Sequence, residues 1–210
     1  MTGPDAVELA LPFAGRWLVQ NSPASRVPSH GTELFGTSHA IDFVPVGPDG
    51  RSARHTIASL IRTERPERFV GFGRPILSPV AGEVVAVHDG EPDHEARRSP
   101  FALIAYALTQ SARVRGGAPA IAGNHVAIRV GEGVVLLAHL RVGSVRVRAG
   151  QEVAVGDQVG ECGNSGNSTE PHLHVQVSES LSREARGIPL VFTRPGGGRW
   201  VPTTGELIEA

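Results

Sequence analysis

From residue 124 onward the chain reads as short alternating apolar runs cut by glycine turns: "NHVAIRV", "GVVLLAHL", "SVRVRAGQEVAVGDQVGEC" and "HLHVQV". Period-two alternation is the mark of strands with one buried face. Turn signals at Ala149-Gly150 and Gly156-Asp157 leave only short apolar pieces between them. A chain of this kind satisfies its strand edges by folding into a compact β-barrel or β-sandwich with tight corners. Earlier segments extend the pattern, "RWLVQ" and "HAIDFVPV" as single strands and "ILSPVAGEVVAVHDG" as strand, turn, strand. The 26 glycines and 16 prolines among 210 residues supply the turns that many short strands need.

Two stretches interrupt the pattern. Residues 47–73 are charged and carry Gly and Pro, with a short helix expected through "HTIASLIRT". Within a second insertion, about 89–123, "SPFALIAYALTQSARV" predicts a helix over 99–114. Ser99 can cap its free amides and Pro100 suits its first position. Phe101, Ile104, Ala105 and Leu108 then share one face, to pack on the sheet or to serve as a lid. The tail after 183 reads as an irregular wrap with one strand, "IPLVF". The expected organisation is a single domain.

A formal net charge of -1 gives no argument for nucleic acid or an acidic membrane surface as partner. The one cysteine, Cys162, excludes an internal disulfide and any cysteine-rich zinc site, and reads as a small buried or turn residue. No run approaches the roughly 18 apolar residues of a membrane span. The N-terminal residues lack a basic region ahead of their broken apolar run, so a cytoplasmic protein is expected unless another route exports it.

Candidate chemistry concentrates in histidines. On a strand, His172, His174 and Gln176 share one face while Leu173, Val175 and Val177 share the other. The apolar set can enter a core, leaving two imidazoles facing a cleft together. His139 ends the apolar run "VVLLAH", at the rim of a core strand. Asp42 in "HAIDFVP" is a carboxylate between apolar neighbours. Imidazoles and carboxylates are the protein ligands of catalytic zinc, usually three of them with one position left for water.

Taken together, "HAIDFVPV", "SPVAGEVVAV", "GVVLLAHL" and "GNSGNSTEPHLH" resemble the lysostaphin/LytM-type zinc metallopeptidases, which cleave cross-bridges or stems of bacterial peptidoglycan. The resemblance implies a mainly β, antiparallel sandwich or barrel of the duplicated hybrid motif type, here with one helical insertion. It also implies a zinc endopeptidase acting on a peptide or peptidoglycan substrate. Asp42 and His174 would be zinc ligands, and His139 and His172 the catalytic imidazoles. Asn124 matches a position where the family often has Asn.

The first ligand departs from the common pattern. Ser38 occupies the place four residues before the Asp, and His39 stands three before it. In a continuous strand His39 would point away from Asp42. His30, in "PSHGTELFG", is further back, but a loop can bring it in, and "SHG…HAIDF" is similar to relatives with a Ser-His-Gly segment there. The metal set is therefore expected to be His30, Asp42 and His174, with His39 or a substituted ligand as alternatives to His30. His55, His88, His94 and His125 read as non-ligands.

Two other functions compete. A non-catalytic zinc-binding or regulatory domain of the same fold would fit the irregular first ligand. A sugar-phosphotransfer carrier or biotinyl-type barrel would fit the "RAGQEVAVGDQVG" turns. The chain contains no lysine for a biotinyl group, and a phosphohistidine carrier leaves Asp42 without a role.

Overall fold

A computed structural model describes residues 6–56, 59, 61–99, 117–194 and 196–210. Thirteen strands follow in chain order among the described residues. They are β1 Val7–Leu9, β2 Arg16–Gln20, β3 Ile41–Pro45, β4 Pro75–Leu77, β5 Gly82–His88, β6 Asn124–Val130 and β7 Gly133–Leu140. The remainder are β8 Glu152–Val153, β9 Gln158–Glu161, β10 Leu173–Ser178, β11 Leu190–Thr193, β12 Arg199–Trp200 and β13 Leu207–Glu209. One short helix, α1 Gly117–Ala122, leads into β6. Most of the helix expected at 99–114, and part of the one expected in "HTIASLIRT", lies outside the described residues.

Eight strands form the main sheet in the order β13-β2-β3-β10-β7-β6-β5-β8, with every pairing antiparallel. A three-stranded sheet, β1-β11-β12, and the β4-β9 pair complete the set. Only the β1–β11 pairing is parallel among the described strands. The period-two pattern explains the layering. Ile41 and Phe43 of β3, Val135 and Leu137 of β7, and Leu173, Val175 and Val177 of β10 share one apolar cluster. Leu9 and Phe192 from the small sheet, and Ile76 and Val159 from the β4–β9 pair, close over that cluster from the opposite side. Burial of several large side chains at roughly 1.5–3 kcal/mol each drives this packing, and the Phe43 and Phe192 rings meet edge to face at 5.5 Å. The result is an antiparallel sandwich rather than a closed barrel.

Two expectations need correction. Residues 144–148, read as strand from the Val/Arg alternation, join no sheet. The Asp89 carboxylate accepts the amides of Gly143 and Val145, and Arg146 alone bonds across to Val159, so side-chain capping replaces a ladder. The tail holds three short strands instead of one, because β12 pairs with β11 and β13 with β2.

The two insertions meet on one side of the sheet. Glu64 bridges to Ala96, and Arg98 lies 2.8 Å from the buried Glu64 carboxylate with its guanidinium 5.0 Å over the Phe69 ring. From this platform Arg97 donates its amide to Thr169 O (2.6 Å), Asn164 donates its side-chain amide to His94 O (2.7 Å), and Ser52 donates its hydroxyl to Glu170. These bonds fix the loop 164–171, which enters β10.

Candidate metal and catalytic centre

The pairing of β3 with β10 sets the centre of the site. His174 stands directly opposite Asp42 in that ladder and opposite Ala138 in the ladder to β7. With Ile41, Phe43, Leu173 and Val175 committed to the core, Asp42, His174 and Gln176 must face the other side. That side is a cavity of about 380 Å³. His30, Asp42, His139, His172 and His174 all line it.

His30 reaches Asp42 because its loop is folded back on itself. Ser29 donates its amide to Ser38 O and its hydroxyl to Thr37 O, which clasps the loop across residues 30–36. The hydroxyl proton is then spent, so Ser29 Oγ accepts Nδ1–H of His30 at 3.0 Å. Nε2 of His30 is left bare, 3.0 Å from Asp42 Oδ2. His39, the alternative first ligand, ends a 3-10 turn over Leu34–His39 and neither joins the cluster nor lines the cavity.

The same proton accounting applies to His174. Its Nε2 lies 3.0 Å from Gln176 Oε1, and the Gln176 amide donates to Phe35 O, so the Gln oxygen is the acceptor. Nδ1 of His174 therefore turns its lone pair toward Asp42 Oδ1, 2.9 Å away. Facing lone pairs at that range require a cation between them, either a proton or a metal. One donor atom each from His30, Asp42 and His174 lies within 4.8 Å of the others. Tetrahedral zinc with bonds near 2.0–2.1 Å separates its ligands by about 3.3 Å, so the donor set and spacing fit such an ion.

Electrostatics follow from the burial. Burial alone would raise the Asp42 carboxyl, but His30, His172 and His174 outweigh it and hold it well below the usual carboxylate range. Burial would lower His174, yet its bond to Asp42 and that charge raise it. Asn21 adds a donated bond to Asp42 Oδ2 at 2.7 Å.

His139 and His172 sit beside this cluster, their ring centroids 4.6 Å apart. Each ties Nδ1–H to a main-chain carbonyl, His139 to Ser165 O at 2.9 Å and His172 to Glu170 O at 2.8 Å. Nε2 is the nitrogen left for the cavity, and that of His172 stands 3.7 Å from Asp42 Oδ1. Burial, then the neighbouring His172 and His174, push His139 well below the ordinary imidazole value.

Simple alternation would send His139 to the core beside Leu137. A β-bulge prevents this. Leu137 pairs with Val126 and Leu140 with Asn124, so Ala138 and His139 together oppose the single residue His125. His139 takes a left-handed backbone (φ 63°), a conformation costing roughly 1–3 kcal/mol that persists where surrounding structure enforces it. Gly163 donates its amide to His139 O at 3.0 Å. A methyl group there would lie 2.3 Å from Arg141 N. Gly163→Ala is accordingly expected to cost about 1–3 kcal/mol or more, as overpacking does, and to displace His139. A lowered urea midpoint together with reduced turnover checks it.

The remaining expected residues have structural places. Asn124 accepts the amides of Gly90 and Glu91 and donates to Glu91 O and Leu140 O, clasping the second insertion to the end of β7. Cys162 is buried in the core. His55 is exposed, His88 stacks on His125, and His94 contacts Gly166 O. His125 also lines the cavity without joining the metal cluster. Sequence reasoning gave no role to Asn21, Ser29 or Gln176; Asn21 meets Asp42 and Gln176 meets Phe35 from other segments, while Ser29–His30 and Gln176–His174 are local pairs.

Residues 105–185 match the family model for Peptidase family M23. The matched stretch is 81 of the 210 residues. It contains His139, His172 and His174, while His30 and Asp42 lie before it. Among solved structures, the chain is similar to a mutant catalytic domain of the prophage-encoded M23 protein EnpA from Enterococcus faecalis. Identity is 18% over 89% of this chain and 95% of that one, with a TM-score of 0.46. The catalytic domain of the antimicrobial peptidase lysostaphin from Staphylococcus simulans matches at 16% identity, over 75% and 86% of the two chains, with a TM-score of 0.40. A putative glycyl-glycine endopeptidase lytM from Ruminococcus gnavus matches at 16% identity, over 71% and 42%, with a TM-score of 0.38. No helix among the described residues is long and apolar enough to cross a membrane.

Burial also sets a pH dependence. His94, His125 and His139 are each lowered from the ordinary value of 6.5, first by burial. A depressed imidazole favours the folded state fully above 6.5, and that contribution declines as pH falls from there toward the folded-state values. His39 is lowered in the same way, while the raised His174 and Asp93 act in the opposite sense. The protein is therefore expected to lose stability between pH 7 and pH 5, at about 1.4 kcal/mol per unit of net shift. Urea midpoints across that range check the sign.

Proposed function

We propose that the protein is a zinc-dependent endopeptidase that hydrolyses peptide bonds in peptidoglycan cross-links or stems. The observation that carries this reading is the convergence of three inward donors, His30 Nε2, an Asp42 oxygen and His174 Nδ1, beside two imidazoles anchored through Nδ1. A set of two imidazoles and one carboxylate suits catalytic zinc, with a fourth position open to water. Bound zinc supplies a Lewis acid and a water whose pKa falls to near 7.

The chain's own residues do the rest. Gln176 and Ser29 fix the tautomers of His174 and His30, so both present lone pairs to the ion. His139, whose burial keeps it in the base form, accepts the proton of the attacking water at Nε2 and returns it to the leaving amine. His172 faces the same volume, and with a proton also on Nε2 it can donate to the carbonyl oxygen on which charge develops; the two imidazoles can exchange these roles. The peptidoglycan assignment rests on the motif "GNSGNSTEPHLH" and its likeness to the lysostaphin/LytM type.

The experiment is hydrolysis of peptidoglycan fragments and glycine-rich peptides by protein stripped with a chelator and reloaded with zinc. New amino termini that appear only after reloading are expected. A zinc-replete protein that releases none would contradict the catalytic reading and leave a non-catalytic zinc-binding domain of this fold.

A further inference from the structure

Apart from Asp42, Glu170 is the only carboxylate-bearing residue lining the cavity, and no arginine lines it among the described residues. The chain has no lysine. The lining includes apolar side chains such as Ile121, Leu136 and Leu181, so charges there are poorly screened.

Glu170 is held in place at both ends. Its main-chain carbonyl accepts Nδ1–H of His172 at 2.8 Å and the Ser168 hydroxyl at 2.8 Å. Its Oε2 accepts the Ser52 hydroxyl at 2.5 Å, a bond from the first insertion. The other carboxylate oxygen has no hydrogen bond or ion pair among the described residues. The carboxylate is thus pinned two residues from the His172 imidazole, with acceptor capacity unspent.

From this placement we infer that Glu170 is a specificity residue, selecting peptides that carry a primary ammonium group close to the scissile bond. The inference rests on the endopeptidase reading and narrows its substrate class. A carboxylate pinned at the cavity lining gains a charge-assisted bond to an ammonium group, while an acylated amine offers no charge and a carboxylate is repelled. Ser52 keeps the acceptor oriented, so little ordering cost falls on binding. The ammonium can belong to a lysine-type side chain or to a free amino terminus, and the chemistry at Glu170 is the same for both.

The test uses the zinc-loaded full chain and two sets of oligoglycine peptides. In one set lysine, acetyl-lysine or glutamate is walked through the positions flanking the cleaved bond. In the other the amino terminus is free or acetylated at increasing distance from that bond. At least one position is expected to show kcat/KM about tenfold higher for the ammonium form than for its acetylated counterpart, through KM, as befits a hydrogen bond to a charged group. The set in which it appears identifies the source of the amine. In Glu170→Gln, which keeps an acceptor for Ser52, that ratio is expected to collapse toward one with zinc content unchanged.

Equal rates for charged and acetylated peptides in the wild-type protein overturn the inference, with no need of a variant. So does a preference that survives Glu170→Gln. If no peptide is cleaved, the endopeptidase reading fails separately and calorimetric binding of the same peptides decides. Tighter binding of the ammonium form that is lost in Glu170→Gln then supports the inference, and equal or absent binding overturns it.

Discussion

Replacing His174 with alanine is expected to remove stoichiometric zinc and peptide hydrolysis together. His174 sits mid-sheet, opposite Asp42 on one side and Ala138 on the other, buried at 7% exposure and lining the cavity. Its loss leaves Asp42 and His30 as the only donors, too few for a stable catalytic site that usually has three. Without the ion, water keeps its ordinary acidity and the carbonyl is unpolarised, so turnover is expected to fall to background. The core face of β10, formed by Leu173, Val175 and Val177, is untouched, so the strand should persist. Metal analysis after dialysis, a circular dichroism melt and a hydrolysis assay on one preparation check all three points. Zinc retained at one equivalent would refute the assignment of His174.

The second large effect separates catalysis from metal binding. His139→Asn is expected to keep zinc and lose hydrolysis by about 10²–10⁴-fold, the range for a general acid–base group. Asparagine suits this test because it tolerates the left-handed backbone that His139 adopts at φ 63°. His139 lies outside the cluster of His30, Asp42 and His174, so the metal donors remain. Loss of zinc along with activity would show that His139 supports the ion rather than the proton transfer.

Much of the site could be read from the chain because strand alternation is local. The apolar set Leu173, Val175 and Val177 dictates where His174 and Gln176 point, with no need of coordinates. His139 was harder. Its placement depends on a bulge at Ala138–His139, without which the alternation sends it into the core beside Leu137. The spacing around Asp42 left His30 and His39 open, since a loop's path depends on contacts such as Ser29 with Thr37 and Ser38.

The supporting residues were hidden for a related reason. Asn21 meets Asp42 across adjacent strands, and Ser52 meets Glu170 across 118 positions. No short pattern records such distances. Residues 144–148 failed in the opposite way, showing perfect alternation but no ladder, with the Val145 amide taken by Asp89, that of Ser144 by Arg141 O and that of Arg148 by Gln151.

Zinc-edge anomalous diffraction from crystals of the zinc-loaded protein tests the central claim most directly. One peak is expected within about 2.0–2.2 Å of His30 Nε2, an Asp42 oxygen and His174 Nδ1. A peak bound by His39, or one that leaves either Asp42 or His174 uncoordinated, would contradict the account.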